Sequence, residues 1–150
     1  MKNKPAFATM EALAAVLIIG FLIVIFILFI HPPKQFADAR NVRRTSNVGT
    51  ILTALNQYII DNGAGPPGVD GIWRVLGTAD SGCNINCAKK IPTGIEAAGC
   101  LDLTPYLVPK YLLNIPSDPK LGKPEITYYA VRQTINGRIE VLSCGLESNQ

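Results

Sequence analysis

The chain has 150 residues, enough for one domain of ordinary size with a short appendage. Hydrophobic residues make up 48% of it, which is close to the share of a normal globular protein. The 14 Lys and Arg residues against 11 Asp and Glu give a net charge of only +3, so no global basic field indicates nucleic acid as a partner.

The first patterned element is an apolar run without charge from Ala12 to Ile30, preceded by a short basic segment with Lys2 and Lys4. As a helix rising about 1.5 Å per residue, this run is roughly 28 Å long, close to the roughly 30 Å hydrocarbon core of a bilayer. A helix is the expected single-span form because lipid satisfies no backbone groups. The alternative is a cleaved secretory signal, since Ala37-Asp38-Ala39 resembles a small-x-small cleavage pattern, although signal apolar regions are shorter, about 7–15 residues.

Glu11 lies at the start of this run. Transfer of a carboxylate into hydrocarbon is costly, so either a positively charged partner pairs with Glu11 or its side chain extends back to the lipid headgroups. The residues around Glu11 resemble the N-terminus of the type IV pilin and pseudopilin family. The leader is MKNKPA, Ala6 precedes the cleavage site, Phe7 is the new N-terminus, Glu11 lies four residues further on, and Ile18-Ile19-Gly20 matches the helix.

The resemblance implies that a prepilin peptidase cleaves between Ala6 and Phe7 and that Phe7 is N-methylated. It also implies that Glu11 pairs with the free amine of a neighbouring subunit's Phe7, an interaction that low dielectric strengthens. The partners that follow are other copies of the chain in a helical filament, an assembly ATPase, membrane platform proteins and the lipid bilayer.

His31-Pro32-Pro33 follows the apolar run and predicts a break or kink at the membrane surface. Beyond it, one helical face is predicted from Val48, Ile51, Leu52, Leu55, Tyr58 and Ile59, with a glycine stop at Asp61-Asn62-Gly63. This stretch is similar to the second half of the pilin helix, whose apolar face packs on a sheet. Basic side chains on it would contact headgroups or neighbouring subunits, or simply be solvated: Arg40, Arg43 and Arg44.

The remainder predicts a small antiparallel sheet of about three strands packed on the helix. Asp102-Leu103-Thr104-Pro105 predicts one short helical turn. The stretch from Leu112 to Pro119 resembles the I-P-x-D-P sequence found before the sheet of pseudopilins. Two β-rich runs, 126–131 and 138–142, flank a hairpin signal at Asn136-Gly137. The predicted fold class is α+β and pilin-like.

The four cysteines, Cys83, Cys87, Cys100 and Cys144, favour two disulfides in an oxidising compartment; a zinc site or free thiols are the alternatives. Three pairings are open. We expect Cys100 with Cys144 and Cys83 with Cys87, although the last would close a strained ring. The positive-inside rule, applied to Lys34 and the arginines beyond the span, places the C-terminal part in the cytoplasm, whereas the cysteines place it outside. We expect it outside.

No catalytic constellation is predicted, because the single histidine, His31, lies at the membrane surface and no Ser or Cys has a credible base. Some major pseudopilins bind calcium through a C-terminal loop. Here Asp118 is followed by Lys120 and Lys123 without an acidic cluster, so no metal or other cofactor is expected.

The sequence therefore predicts a non-enzymatic structural subunit of a type IV pilus or of a secretion or DNA-uptake pseudopilus, stored as a single-pass protein of the cytoplasmic membrane. Its expected regions are a leader (1–6), a membrane and filament-core helix (7–31), an amphipathic half-helix (32–63) and a globular β domain (64–150). One alternative is a membrane-anchored extracytoplasmic binding domain that does not polymerise. Another is a domain secreted after cleavage at Ala39.

Overall fold

The computed structural model describes residues 6–29, 32–85, 87 and 99–147, and the chain divides into two compact units, Met1–Phe36 and Ala37–Gln150. The elements in chain order are α1 (Ala6–Phe29), α2 (Pro32–Asn62), β1 (Arg74–Val75), α3 (Thr104–Leu107), β2 (Tyr129–Gln133) and β3 (Ile139–Ser143). The chain is therefore an α+β protein with an apolar N-terminal helix.

Helix α1 contains the segment Thr9–Leu28, whose mean hydropathy of 3.0 and length are sufficient to cross a membrane. Its large apolar side chains are exposed, as for Leu13 at 66% and Phe21 at 67%. By length and composition the helix is compatible with a single-pass membrane segment, and an N-terminal signal sequence meets the same criterion.

Helix α2 carries the apolar face that the spacing predicts. Ile51 and Leu55 are completely buried, and Val48, Leu52, Tyr58 and Ile59 pack beside them. The helix ends at the predicted glycine, because Gly63 adopts a φ of 73° and donates its N–H to the Ile59 carbonyl at 2.8 Å. The break predicted around His31 falls on residues 30 and 31, which lie outside the described residues.

The sheet has three antiparallel strands in the order β1-β2-β3. Strands β2 and β3 form a hairpin in which Val131 lies opposite Val141. Its turn uses the predicted Asn136-Gly137, since Gly137 has a φ of 76°, a conformation that glycine adopts without strain.

The alternation of side chains along the strands gives the sheet two apolar faces. Tyr129 and Val131 lie in the main core with Ile51 and Leu55 of α2. Ala130, between them in sequence, lies in a second cluster with Val75, Cys83 and Cys87. The helix therefore covers one face of the sheet, and the cysteine-containing loop covers the other.

One strand boundary and the position of one strand differ from the sequence prediction. Strand β2 begins at Tyr129 rather than Ile126, because Tyr128 has a φ of 62° and interrupts the extended chain. Strand β1 was not located from sequence, since it has only two residues in a stretch without clear periodicity.

The short helical turn was predicted at the position of α3, where the Thr104 N–H donates to Oδ1 of Asp102 at 2.8 Å.

The disulfide pairing expected from the sequence is wrong in this structure. Cys83 is bonded to Cys100 and Cys87 to Cys144, with Cα–Cα distances of 5.1 and 4.6 Å. The expected Cys83–Cys87 bond would have closed a short ring, whereas the observed bonds tie the loop to itself and to the residue that follows β3. The second bond therefore anchors this loop against the outer face of the sheet.

The pairing makes a stability prediction for two double variants. In the chain-entropy model, bonds that span 17 and 57 residues contribute about 3 and about 4 kcal/mol respectively. We expect C87S/C144S to lower the free energy of unfolding more than C83S/C100S, as measured by chemical denaturation of the full chain in detergent. The reverse order, or a non-reducing peptide map that links Cys83 to Cys87, would contradict the observed pairing.

Candidate functional site

The residues implied by the resemblance lie at the beginning of α1. Ala6 and Phe7 are the first two residues of the helix, and residues 1–5 and the side chains of Ala6 and Phe7 lie outside what the structure describes. Glu11 is exposed on the first turns, and no ion pair joins it to another residue in the described part of the chain. Its carboxylate is thus directed outward at the start of an apolar surface.

The surface of α1 has a strong requirement for an apolar environment. From Thr9 to Leu28 the only charged residue is Glu11, and none of this segment is buried within the single chain. Removing one Leu, Ile or Phe side chain from water contributes about 1.5–3 kcal/mol, so leaving a whole helix of them exposed to water is highly unfavourable. Contact with lipid or with the apolar surface of another molecule would remove this cost.

The second candidate site is a cluster of charges between α2 and the last part of the globular unit. Arg44 is completely buried and makes a two-pronged interaction with Asp118, in which Nε donates to Oδ2 and Nη2 to Oδ1 at 3.1 Å. The Asp118 Oδ1 atom also accepts the backbone N–H groups of Lys120 and Leu121, both at 2.9 Å. The carboxylate therefore holds both α2 and its own loop in place.

Glu147 extends this cluster towards the chain end. Its carboxylate accepts hydrogen bonds from Nε and Nη2 of Arg40, both at 2.7 Å, and from Nη1 of Arg44 at 3.0 Å. The Asn41 side chain also donates to its backbone carbonyl at 2.9 Å. Close by, Gly145 lies so near the Asp118 carboxylate that a methyl group would overlap it, so the close approach requires glycine.

These contacts shift the pKa values of the charged groups in the cluster. Burial by itself raises the pKa of Asp118, but hydrogen bonds from Arg44 and from the Leu121 and Lys120 N–H groups outweigh it, so this pKa lies below its usual value. The Arg40 hydrogen bonds, followed by those of Arg44 and Lys120, hold the pKa of Glu147 far below its usual value. The hydrogen bond to Asp118 raises the pKa of Arg44. All three groups are therefore charged at neutral pH.

This cluster was not predicted from the sequence. Arg40 and Arg44 were expected to contact headgroups, neighbouring subunits or solvent, whereas both form ion pairs within their own chain; Arg43 is exposed. A usable signal existed for Arg44, which lies four and seven residues before Val48 and Ile51 and so shares the apolar face of α2. Glu147 carried no such signal.

No protein-family model, curated protein or solved structure matches this chain. Among the described residues, no group of three or more His, Cys, Asp or Glu side chains is arranged to hold a metal ion. The interpretation of the two sites therefore depends on their geometry and chemistry.

Removal of the buried Arg44 should be much more damaging than removal of the half-buried Arg40. We expect Arg44→Met to destabilise the globular unit by about 3–5 kcal/mol, because it leaves the Asp118 carboxylate buried and uncompensated. Arg40→Met is the matched control and should cost much less, since its ion pair with Glu147 is partly solvated. Denaturation of both variants in detergent measures the difference, and equal losses would contradict the assigned role of Arg44.

The lowered carboxyl pKa values predict an acid-sensitive stability. Groups with lowered pKa values stabilise the fold above the pKa of the unfolded chain, about 4, and this contribution is lost as the pH falls through the lower folded-state values. The melting temperature should therefore be nearly constant from about pH 7 to 5 and fall below about pH 4. The double variant D118N/E147Q should melt at a lower temperature at neutral pH and show a shallower acid dependence; an unchanged dependence would contradict the assignment.

Proposed function

We propose that this chain is a structural subunit of a type IV pilus or of a related pseudopilus. It is stored in the cytoplasmic membrane through α1, with the globular unit outside, and polymerises through α1 after cleavage between Ala6 and Phe7. The filament is extracellular or periplasmic. The proposal assigns no catalytic residue to the chain and requires a prepilin peptidase, an assembly ATPase and platform proteins as partners.

The observation that carries the proposal is the exposed Glu11 carboxylate at the start of α1. It lies four residues after Phe7, and the apolar residues that follow it are uncovered in the single chain. A globular unit with its own core and two disulfides is consistent with a head domain that remains folded outside the membrane.

Electrostatic attraction favours pairing of the Glu11 carboxylate with an amine of a neighbouring subunit. A carboxylate placed at the centre of a membrane helix costs about 2.5–3.5 kcal/mol on insertion scales, and less near its end. An ammonium group about 4 Å away attracts it by roughly 4 kcal/mol at an effective dielectric constant of about 20. The amine of a neighbouring Phe7 therefore offsets the cost of transferring Glu11 from the membrane edge into a filament core, and it sets the axial register of the two subunits.

The position of the charge should matter as much as its presence. We expect Glu11→Gln to accumulate in the membrane and to be cleaved, but to assemble few filaments. The double variant E11A/A12E keeps one carboxylate but rotates it by about 100° around the helix, so it should also assemble poorly. Sheared filaments, quantified against the membrane pool in the native cell, measure both effects.

Met10→Leu is the matched control, because it changes a neighbouring exposed side chain without altering charge; it should assemble normally. Normal filament yield from Glu11→Gln would eliminate the register mechanism. An absence of filaments from the unmodified chain as well, with an uncleaved N-terminus, would favour the alternative of a non-polymerising membrane-anchored domain.

A further inference from the structure

The globular unit contains a cavity that the proposed assembly role does not use. Its volume is about 300 Å³, and it lies between the chain that follows β1, helix α3 and the segment before Asp118. This volume is at the lower end of the range for small-molecule sites, about 300–1,000 Å³, so the cavity fits one small ring rather than an extended ligand.

Four neutral polar side chains line this cavity and have no hydrogen-bond partner within the described residues: Thr78, Thr104 and Asn114, which are exposed to solvent, and Ser117, which is half-buried. Together they offer three hydroxyl groups, which both donate and accept, and one amide, which has both kinds of atom. A fifth lining residue, Thr127, is already committed, because its hydroxyl donates to the Leu76 carbonyl at 2.7 Å. The four free groups are therefore available to a ligand.

The rest of the lining is apolar and uncharged. Val108, Ile115 and Pro124 contribute aliphatic surface, and among the residues that the structure describes, no Asp, Glu, Lys, Arg or aromatic side chain lines the cavity. This lining provides no cation to pair with a phosphate or carboxylate ligand and no anion to pair with an amine. It also provides no aromatic ring on which a nucleobase could stack. A neutral ligand that combines hydroxyl groups with an aliphatic face matches this lining.

Backbone hydrogen bonds hold the chain segments that line the cavity. The Thr78 N–H donates to the Pro124 carbonyl at 3.3 Å, and the Val108 N–H donates to the Thr104 carbonyl at 3.0 Å. Ser117 directly precedes Asp118, whose N–H donates to the Thr127 carbonyl at 2.9 Å and whose carboxylate is held by Arg44. A preorganised site loses less conformational entropy on binding.

We propose that this cavity binds one uncharged sugar residue, with its hydroxyl groups bonded to Thr78, Thr104, Asn114 and Ser117. The C–H face of the sugar ring lies against Val108, Ile115 and Pro124. This binding site is independent of the proposed filament role, because it lies in the globular unit and involves neither α1 nor Glu11.

The test is a chemical-shift titration of the isotopically labelled full chain in detergent, with glucose and N-acetylglucosamine as neutral probes. Glucuronate and glucosamine are the matched anionic and cationic probes. We expect at least one neutral probe to cause saturable shifts at the amides of Thr78, Thr104, Asn114 and Ser117, and the charged probes to bind several-fold more weakly. Saturable binding that is equal for charged and neutral probes, or no saturable shift with any probe, would overturn the proposal.

Two variants locate the binding. Thr104→Val and Ser117→Ala should each weaken the binding of the neutral probe about fivefold, the value expected for loss of one hydrogen bond of about 1 kcal/mol. Thr53→Val is the matched control, since Thr53 is exposed on α2 outside this cavity, and it should bind as the unmodified chain does. Unchanged melting temperatures establish that the variants are folded; equal weakening by Thr53→Val would overturn the assignment.

Discussion

The ion pair between Arg44 and Asp118 is the interaction on which the arrangement of the globular unit depends. Both side chains are completely buried, so the pair is stabilising only while both partners and their further hydrogen bonds are present. Through it, α2 is joined to the loop that leads into β2, and through Glu147 it is joined to the chain after β3. Segments far apart in sequence thus meet at one point of the helix. The disulfide between Cys87 and Cys144 adds a covalent bond to the same C-terminal region, from the other face of the sheet.

This arrangement separates the chain into two parts with different physical requirements. The unit from Ala37 onwards buries apolar groups of its own, in a core on each face of the sheet. Helix α1 does not, because its apolar surface and Glu11 are uncovered. A protein with a self-sufficient head and a helix that needs other molecules is suited to storage in a membrane and to assembly with further copies. The proposed function uses both properties.

Local sequence patterns predicted three features. The apolar run predicted α1, the spacing from Val48 to Ile59 predicted the buried face of α2, and Asn136-Gly137 predicted the hairpin turn, since each pattern involves residues close together in sequence. The missed features depend on contacts between distant residues. Arg44 was assigned to headgroups, neighbours or solvent because its partner lies 74 residues away. The cysteine pairing was wrong for a related reason: the sequence does not show which cysteines the folded loop brings together, and the loop pairs Cys83 with Cys100 and Cys87 with Cys144. Strand β1 is too short to give a pattern at all.

The processing of the N-terminus tests the central claim most directly, because every alternative predicts a different first residue. Protein isolated from its native cell can be examined by intact mass measurement and N-terminal sequencing. The filament-subunit proposal predicts a chain that begins at Phe7 and carries an N-methyl group. A chain that begins at Met1 would instead indicate a plain membrane anchor, and one that begins at Arg40 would indicate a secreted domain; either result would contradict the proposal.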